Sequence, residues 1–237
     1  MLSGSEKYYD DIYGVTGKDY AAEAAKIHEF IQKYQQTPDN SLLDVACGTG
    51  WHISFLRERY SVEGTDINAG MLKVARQKYP GIRFTQGDMR SFDLRRQFDV
   101  VTCLFSAIGY MKTKADLQTA LQNMGRHLLP GGVLLVEPWF TPEEWHTGYV
   151  STVHVDKPDV KIVRMSHSGK RGKLSLINFQ YLIGTSKGIE HIDEQHELGL
   201  FTHQEYMTAF TKASLNVIHD PEGIFGRGLY IGTKPLG

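Results

Sequence analysis

A chain of 237 residues, 41% of them hydrophobic, with a formal net charge of −1 is long enough for one sizeable core or one core with an elaboration. The near-neutral balance argues against a nucleic-acid partner, which leaves a clustered basic footprint. The two cysteines, Cys47 and Cys103, fall at the predicted ends of buried strands and read as reduced core thiols of a cytoplasmic protein, while the lack of a signal-like start or an apolar stretch of about 18 residues argues against a membrane partner.

In chain order, the aromatic and acidic segment Tyr8-Tyr9-Asp10-Asp11-Ile12-Tyr13 precedes Gly14 and Gly17 and reads as a lid or cap. Asp19 opens a helical pattern with Tyr20, Ala24, Ile27, Ile31 and Tyr34 on one face, closing before Pro38. The run from Leu42 to Gly50 reads as a buried strand ending in an acid, Asp44, and a glycine-rich turn, with a helix through Phe55 and Leu56 behind it. Val62 to Asp66 is a second strand ending in an acid, followed by a helix opened by Asn68 and stopped at Pro80-Gly81. Phe84 to Met89 is a third, closing on Asp88, and Phe98 to Leu104 a fourth. Thr113 and Asp116 make a capping box for a helix bearing Leu117, Leu121, Met124 and Leu128. Pro130-Gly131-Gly132 then turns the chain into the apolar strand Val133 to Glu137. Five successive βα units imply a parallel sheet. From Tyr149 to His196 the pattern changes to antiparallel strands around turns at Gly169–Gly172 and Gly184–Gly188. Thr202 caps a helix through Phe210, and Leu215–Ile218 with Leu229–Ile231 form a closing hairpin.

The turn after the first strand decides the class. A dinucleotide fingerprint needs a third glycine three positions after the second, and Ile53 stands there. Three successive strands that each end in an acid instead resemble class I S-adenosylmethionine (SAM) methyltransferases. The resemblance implies an α/β, doubly wound Rossmann-like class I methyltransferase sheet, mostly parallel with an antiparallel closing hairpin, carrying an inserted antiparallel β layer. It also implies that the glycine loop wraps the methionine part of SAM, Asp66 holds the ribose, and Asp88-Met89 brackets the adenine.

A narrower resemblance rests on Gly17–Ala24, Leu42–Gly50, Gln86–Arg90, Gly109-Tyr110, Pro130–Gly132, Glu137-Pro138-Trp139, Ser166–Ser168, Leu200-Phe201 and Gly226–Leu229. Together these look like the N,N-dimethyltransferases of dTDP-3-amino-deoxyhexoses, which make the dimethylamino sugars desosamine and mycaminose of macrolide antibiotics. The departures are Phe140, where the family tends to carry a second tryptophan, and the segment Lys157–Asp159. The expected parts are a lid and SAM-binding core over 1–148, a β layer over 149–199 covering the substrate, and a C-terminal helix and hairpin over 200–237.

The expected cofactor set is Tyr20, Asp44, Ala46, Gly48, Gly50, Asp66, Ile67, Asp88, Met89 and Leu104, with SAM as methyl donor, S-adenosylhomocysteine as product and no metal. Tyr20 meets the SAM carboxylate or only packs its helix. Tyr110, at the mouth of the cleft, is the catalytic candidate, orienting the amine or accepting its proton through water; the plainer alternative is a ring packed under a loop. The substrate set is Tyr9, Tyr13, Trp139, Trp145, Tyr149, Arg164, Ser166, Ser168 and Arg227. Tyr9 and Tyr13 bond phosphate or form a mere cap. Arg227, between two glycines, grips a diphosphate with its planar fork or caps a solvated hairpin. Trp139, Trp145 and Tyr149 offer rings for the thymine or hexose, with one of them core. Period-two alternation puts Arg164, Ser166 and Ser168 on one face and His167 on the other. A homodimer through the inserted layer is the expected assembly. The competing functions are methylation of another small amine or hydroxyl and non-catalytic SAM binding.

Overall fold

The computed structural model describes residues 4–236; residues 1–3 and 237 of the outer segments lie outside the described residues. A seven-stranded sheet runs in the order β10-β11-β5-β4-β1-β2-β3. Its strands are β1 (Ser41–Val45), β2 (Ser61–Asp66), β3 (Arg83–Gln86), β4 (Phe98–Cys103), β5 (Leu128–Val136), β10 (Asn216–Asp220) and β11 (Leu229–Thr233). The first five are parallel, and β11 pairs antiparallel with both β5 and β10. The chain winds outward from β1 through β2 to β3 and then returns beside β1 to lay down β4 and β5. The strand order therefore reverses at β1 and β4, and a crevice opens beyond their carboxyl ends.

Helices cover both faces. On one side α2 (Tyr20–Tyr34), α3 (Trp51–Leu56) and α4 (Ala69–Lys78) bury Ile27, Ile31, Ile53 and Leu72 against Leu42, Val100 and Leu135. On the other α5 (Lys114–Arg126) and α6 (His203–Lys212) pack Leu121, Met124 and Phe210 onto Leu43, Val101 and Leu134. The caps follow from local chemistry. The Asp19 carboxylate accepts from the Ala22 amide, the Asn68 side chain from Gly70 and Met71, and Thr202 with Glu205 closes a full capping box.

The expected reading fails at two junctions, the first between β3 and β4, where no helix lies and the series of five βα units is broken. At the second, helix α5 stops at Arg126, and Leu128 already pairs with Phe98, so Pro130-Gly131-Gly132 is a bulge inside β5 rather than a turn before it. The capping box at Thr113 is also half formed. Thr113 accepts from the Asp116 amide, but the Asp116 carboxylate takes the Thr113 hydroxyl and Arg90.

The chain from Val150 to Gly199 forms a four-stranded antiparallel meander of β6 (Val150–Asp156), β7 (Lys161–Arg171), β8 (Leu174–Thr185) and β9 (Gly188–Gly199). Its inner face and the short helix α1 (Tyr9–Gly14) share a third core of Ile12, Val155, Ile162, Tyr181, Ile183 and Ile192. Helix α1 is thus wedged between the two sheets. Asp10 accepts hydrogen bonds from Thr49 Oγ1, Trp51 Nε1 (2.6 Å) and Lys78 Nζ (2.7 Å).

Candidate active site

The crevice begins at the end of β1. Asp44 is buried against Thr102, whose hydroxyl donates to it at 2.8 Å, and burial pushes its carboxyl up to about 6. Across the turn, the Gly48 amide donates to Asp66 at 2.9 Å and the Asn68 amide at 2.8 Å. Burial also raises the Asp66 carboxyl, against the pull of those amides. The two glycines have different duties. Both hold left-handed backbone, at φ +55° for Gly48 and +81° for Gly50, but a Cβ on Gly48 would meet open space and one on Gly50 the Tyr79 ring at 3.0 Å. Gly48 borders open space, whereas Gly50 makes room for Tyr79.

Ala46 takes the same strained backbone at φ 58°. Ile67 is 45% exposed beside Asp66. Asp88, two residues past the end of β3, is forked by Arg90 at 2.6 and 3.0 Å, which pulls its carboxyl below the usual range. Met89 and Leu104 are core side chains backing the site.

Tyr20 stacks on Trp51 with centroids 4.7 Å apart, and its buried hydroxyl has no hydrogen-bond partner. Around it lies a charged cluster that sequence reasoning did not assign. Glu23 holds both Lys18 and His52 Nε2 (2.8 Å), and the Lys18 ammonium sits over the Phe105 and Phe225 rings at 4.4 and 4.3 Å. The opening Lys18-Asp19-Tyr20 was visible, but the partnership depends on α2 packing on α3. An acidic pair, a glycine turn bordering open space and an orphaned phenol fit SAM: carboxylates for its ammonium and ribose, a donor for its carboxylate.

Opposite this end, Tyr9 and Tyr13 lie 4.4 Å apart and Tyr13 meets Phe105 edge-on at 5.3 Å. Arg164, 9% exposed on the inner face of β7, has its guanidinium over Tyr13 at 5.3 Å and Phe179 at 5.1 Å. Among the described residues no carboxylate lies within 4.0 Å of it. Ser166 and Ser168 share that buried face and His167 points outward. Their hydroxyls are already engaged, Ser166 with Ser151 at 2.7 Å and Ser168 with the His146 carbonyl at 2.8 Å.

Arg227 turns inward. It donates to Ser106 Oγ at 2.8 Å, faces the buried Glu137 at 3.8 Å, and lies over Trp139 and Phe140 at 5.3 and 4.8 Å. Trp139 and Trp145 donate their indole N–H groups into the second sheet, to Ser175 Oγ at 2.8 Å and the Gly169 carbonyl at 2.7 Å. Tyr149 is 67% exposed at the edge of β6 and makes no ring contact among the described residues. The Tyr110 hydroxyl, on the turn after β4, bonds His196 Nδ1 of β9 at 2.7 Å.

The model of a methyltransferase domain matches residues 42–132. The chain is 42% identical over 226 residues to a dTDP-3-amino-3,6-dideoxy-alpha-D-glucopyranose N,N-dimethyltransferase of Streptomyces fradiae, covering 94% of this chain and 88% of that one. It superposes on the crystal structure of Streptomyces venezuelae DesVI with a TM-score of 0.91 at 37% identity, over 99% of this chain and 100% of that one. With SAM-bound CalS10, an amino pentose methyltransferase from Micromonospora echinaspora, the TM-score is 0.84 at 36% identity, over 99% and 98% of the two chains. The chain is a SAM-dependent methyltransferase and belongs to the family of the dTDP-amino-deoxysugar N,N-dimethyltransferases.

Proposed function

We propose that this enzyme transfers methyl groups from SAM to the amino group of a dTDP-linked 3-amino-deoxyhexose and repeats the transfer to give the dimethylamine. The observation that carries this reading is Arg164. A buried guanidinium without a carboxylate partner is costly unless a ligand supplies the anion, and a nucleotide diphosphate reaching between Tyr13 and Phe179 supplies one.

The donor carries its methyl group on a sulfonium, and a neutral amine can displace it directly. The protein's task is therefore alignment, which is worth on the order of 7–11 kcal/mol. Asp44 and Tyr20 hold the methionine end, Asp66 the ribose, and Asp88 the adenine side of the cofactor. Arg164 and Tyr13 fix the diphosphate, and Arg227 with Trp139 closes the wall beside it. In this reading residues 1–148 form the lid and cofactor core, 149–199 the cap over the sugar nucleotide, and 200–237 the closing part of the core. The enzyme works in the cytoplasm, where its two free cysteines stay reduced, as a homodimer built through the outer face of the second sheet.

Calorimetry with SAM and with dTDP, followed by mass measurement of dTDP-3-amino-deoxyhexoses incubated with SAM, tests the reading. The expected result is binding of both ligands and gain of two methyl groups. Equal turnover of free small amines with no affinity for dTDP would make it a methyltransferase of another amine, and SAM binding with no transfer at all would make it a binding protein.

A further inference from the structure

We propose that His196, held between Glu194 and Tyr110, takes the proton from the substrate amine, so that a Tyr110–His196–Glu194 relay built largely from the second sheet keeps the acceptor nucleophilic before each methyl transfer. The inference rests on the amino-sugar reading above. Glu194 and His196 are two apart on β9 and both point to its buried face. The phenol of Tyr110 meets His196 Nδ1 at 2.7 Å. The relay requires that Nδ1 accept that hydroxyl, with the imidazole's own proton on Nε2. That nitrogen is buried without a hydrogen-bond partner, and Glu194 Oε2 lies 3.5 Å from it, within ion-pair reach once the ring gains charge. Tyr181 faces the same carboxylate oxygen at 3.4 Å.

Groups from several elements surround this ring. The charged and titratable groups facing the relay are Tyr9 and Tyr13 from α1, Asp66 at the end of β2, Arg164 from β7 and Tyr181 from β8, with Glu194 on its own strand. Arg164 is the only cation among them, and the Phe179 ring stands between it and His196, over the guanidinium at 5.1 Å and edge-on to the imidazole at 5.1 Å. Glu197 is tied to Lys112 and Arg171 instead. The same ring thus places the diphosphate-binding cation and the proton acceptor side by side.

In the step, the substrate ammonium gives its proton to Oη of Tyr110 as the phenol's own proton passes to Nδ1 of His196. The nitrogen keeps the electron pair, Tyr110 ends as the neutral phenol it began as, and His196 becomes an imidazolium opposite Glu194. The proton leaves by the reverse hop after product departs, through a Tyr110 ring that is 39% exposed. Monomethylation leaves an ammonium that must lose a proton before the second transfer, so the relay matters most there. Tyr110 touches the substrate; His196 and Glu194 are positioning residues that act through it.

The test is the pH dependence of kcat/KM for a dTDP-3-amino-deoxyhexose in the wild type, Tyr110→Phe, His196→Gln and Glu194→Gln, with thermal unfolding as the check on folding. The acid limb should move up by about one pH unit or more in each variant, with rates near pH 9 within a few fold of wild type, because free amine then needs no acceptor. Near pH 6.5 the variants should accumulate monomethyl product. Imidazole nitrogen NMR gives a readout independent of turnover: His196 should be the Nε2–H tautomer, and its Nδ1 signal should shift in Tyr110→Phe. Equal loss at every pH, or unchanged profiles in both His196→Gln and Tyr110→Phe, overturns the relay. If His196→Gln fails to fold, the isosteric Glu194→Gln decides alone. A wild type that binds SAM but never methylates the sugar overturns the function itself, and this proposal with it.

Discussion

Asp44 illustrates how a residue's cost in the free protein becomes useful on binding. Its carboxyl titrates at about 6 instead of 3.8 because burial penalises the charge. A raised acid favours the folded state while protonated, so this contribution is lost as pH rises from about 4 to 6 and leaves a cost on the order of 3 kcal/mol at neutral pH. In the proposed binding mode the SAM ammonium reverses the balance by pairing with the ionised form. We expect SAM affinity to fall about tenfold per pH unit below 6. Asp44→Asn should flatten that profile and weaken binding at pH 7.5 while leaving the ligand-free protein as stable or more so; calorimetry across pH 5 to 8 checks both. The two arginines should separate in the same way. Arg164→Leu removes a buried cation that has no carboxylate within 4.0 Å among the described residues, so it should raise the KM for a dTDP-sugar by roughly ten- to a hundredfold, the value of one or two charged hydrogen bonds, with no loss of melting temperature. Arg227→Ala takes the facing cation from buried Glu137, leaving it the Phe105 amide and Ser106 hydroxyl, and should lower the melting temperature as well, which Arg227→Lys should largely restore. Equal destabilisation by both truncations would return Arg164 to a packing role. Asp44, Gly48 and Asp66 were legible because they sit at fixed offsets along one strand–turn–strand unit. The Lys18–Glu23–His52 cluster and the Tyr110–His196 bond were not. The latter joins residues 86 apart, and the pattern of either strand alone says nothing of what faces it.

At the scale of elements, α1 is the piece whose role changes most on seeing it folded. Its aromatic and acidic residues read as a lid from sequence; the structure shows which contacts hold the helix in place. Asp10 ties it to Thr49 and Trp51, which flank Gly50 in the cofactor loop, and Ile12 anchors it in the core of the second sheet. If α1 covers the cofactor, as we propose, exchange requires this latch to open. Asp10→Ala should accelerate release of S-adenosylhomocysteine and weaken SAM binding, by an amount equivalent to about 1–3 kcal/mol for the lost charged hydrogen bonds. Stopped-flow displacement measures the release rate, and an unchanged rate would mean that the helix is no gate. Ile12→Ala should loosen the same helix at a cost of about 2–4 kcal/mol in stability. The βα alternation and most caps were readable, since Asp19, Asn68 and Thr202 each announce a helix start through side-chain chemistry local in sequence. The start of β5 was not, because proline and two glycines signal a turn equally well when they form a bulge. Only the pairing of Leu128 with Phe98 decides which it is.

In the whole molecule, two sheets face each other across the crevice, and the second one has a side left over. The inner face of β7 alternates inward with Ile162, Arg164 and Ser166, which leaves Val163 and Met165 turned away from the core. Val163 lies opposite Leu182 of β8 in register, and the three side chains are 37%, 48% and 52% exposed. Cross-strand apolar pairs on a free sheet face are a favourable surface for a second copy, because a two-fold axis lets one patch bury itself against its own image. Such a dimer would also stiffen the sheet that carries Arg164, Glu194 and His196, and so preserve the geometry on which alignment depends. The residues that build this face were visible as period-two alternation, but alternation is symmetric and leaves open which side of the layer is inward. The contact of its inner face with α1 supplies that answer. We expect light scattering to give a dimer at micromolar concentration. Leu182→Glu, which places a charge at the centre of the patch, should yield a folded monomer with SAM affinity close to wild type and a higher KM for the sugar nucleotide. A wild type that stays monomeric at tens of micromolar, or a Leu182→Glu variant that remains dimeric, would put the assembly elsewhere on the molecule.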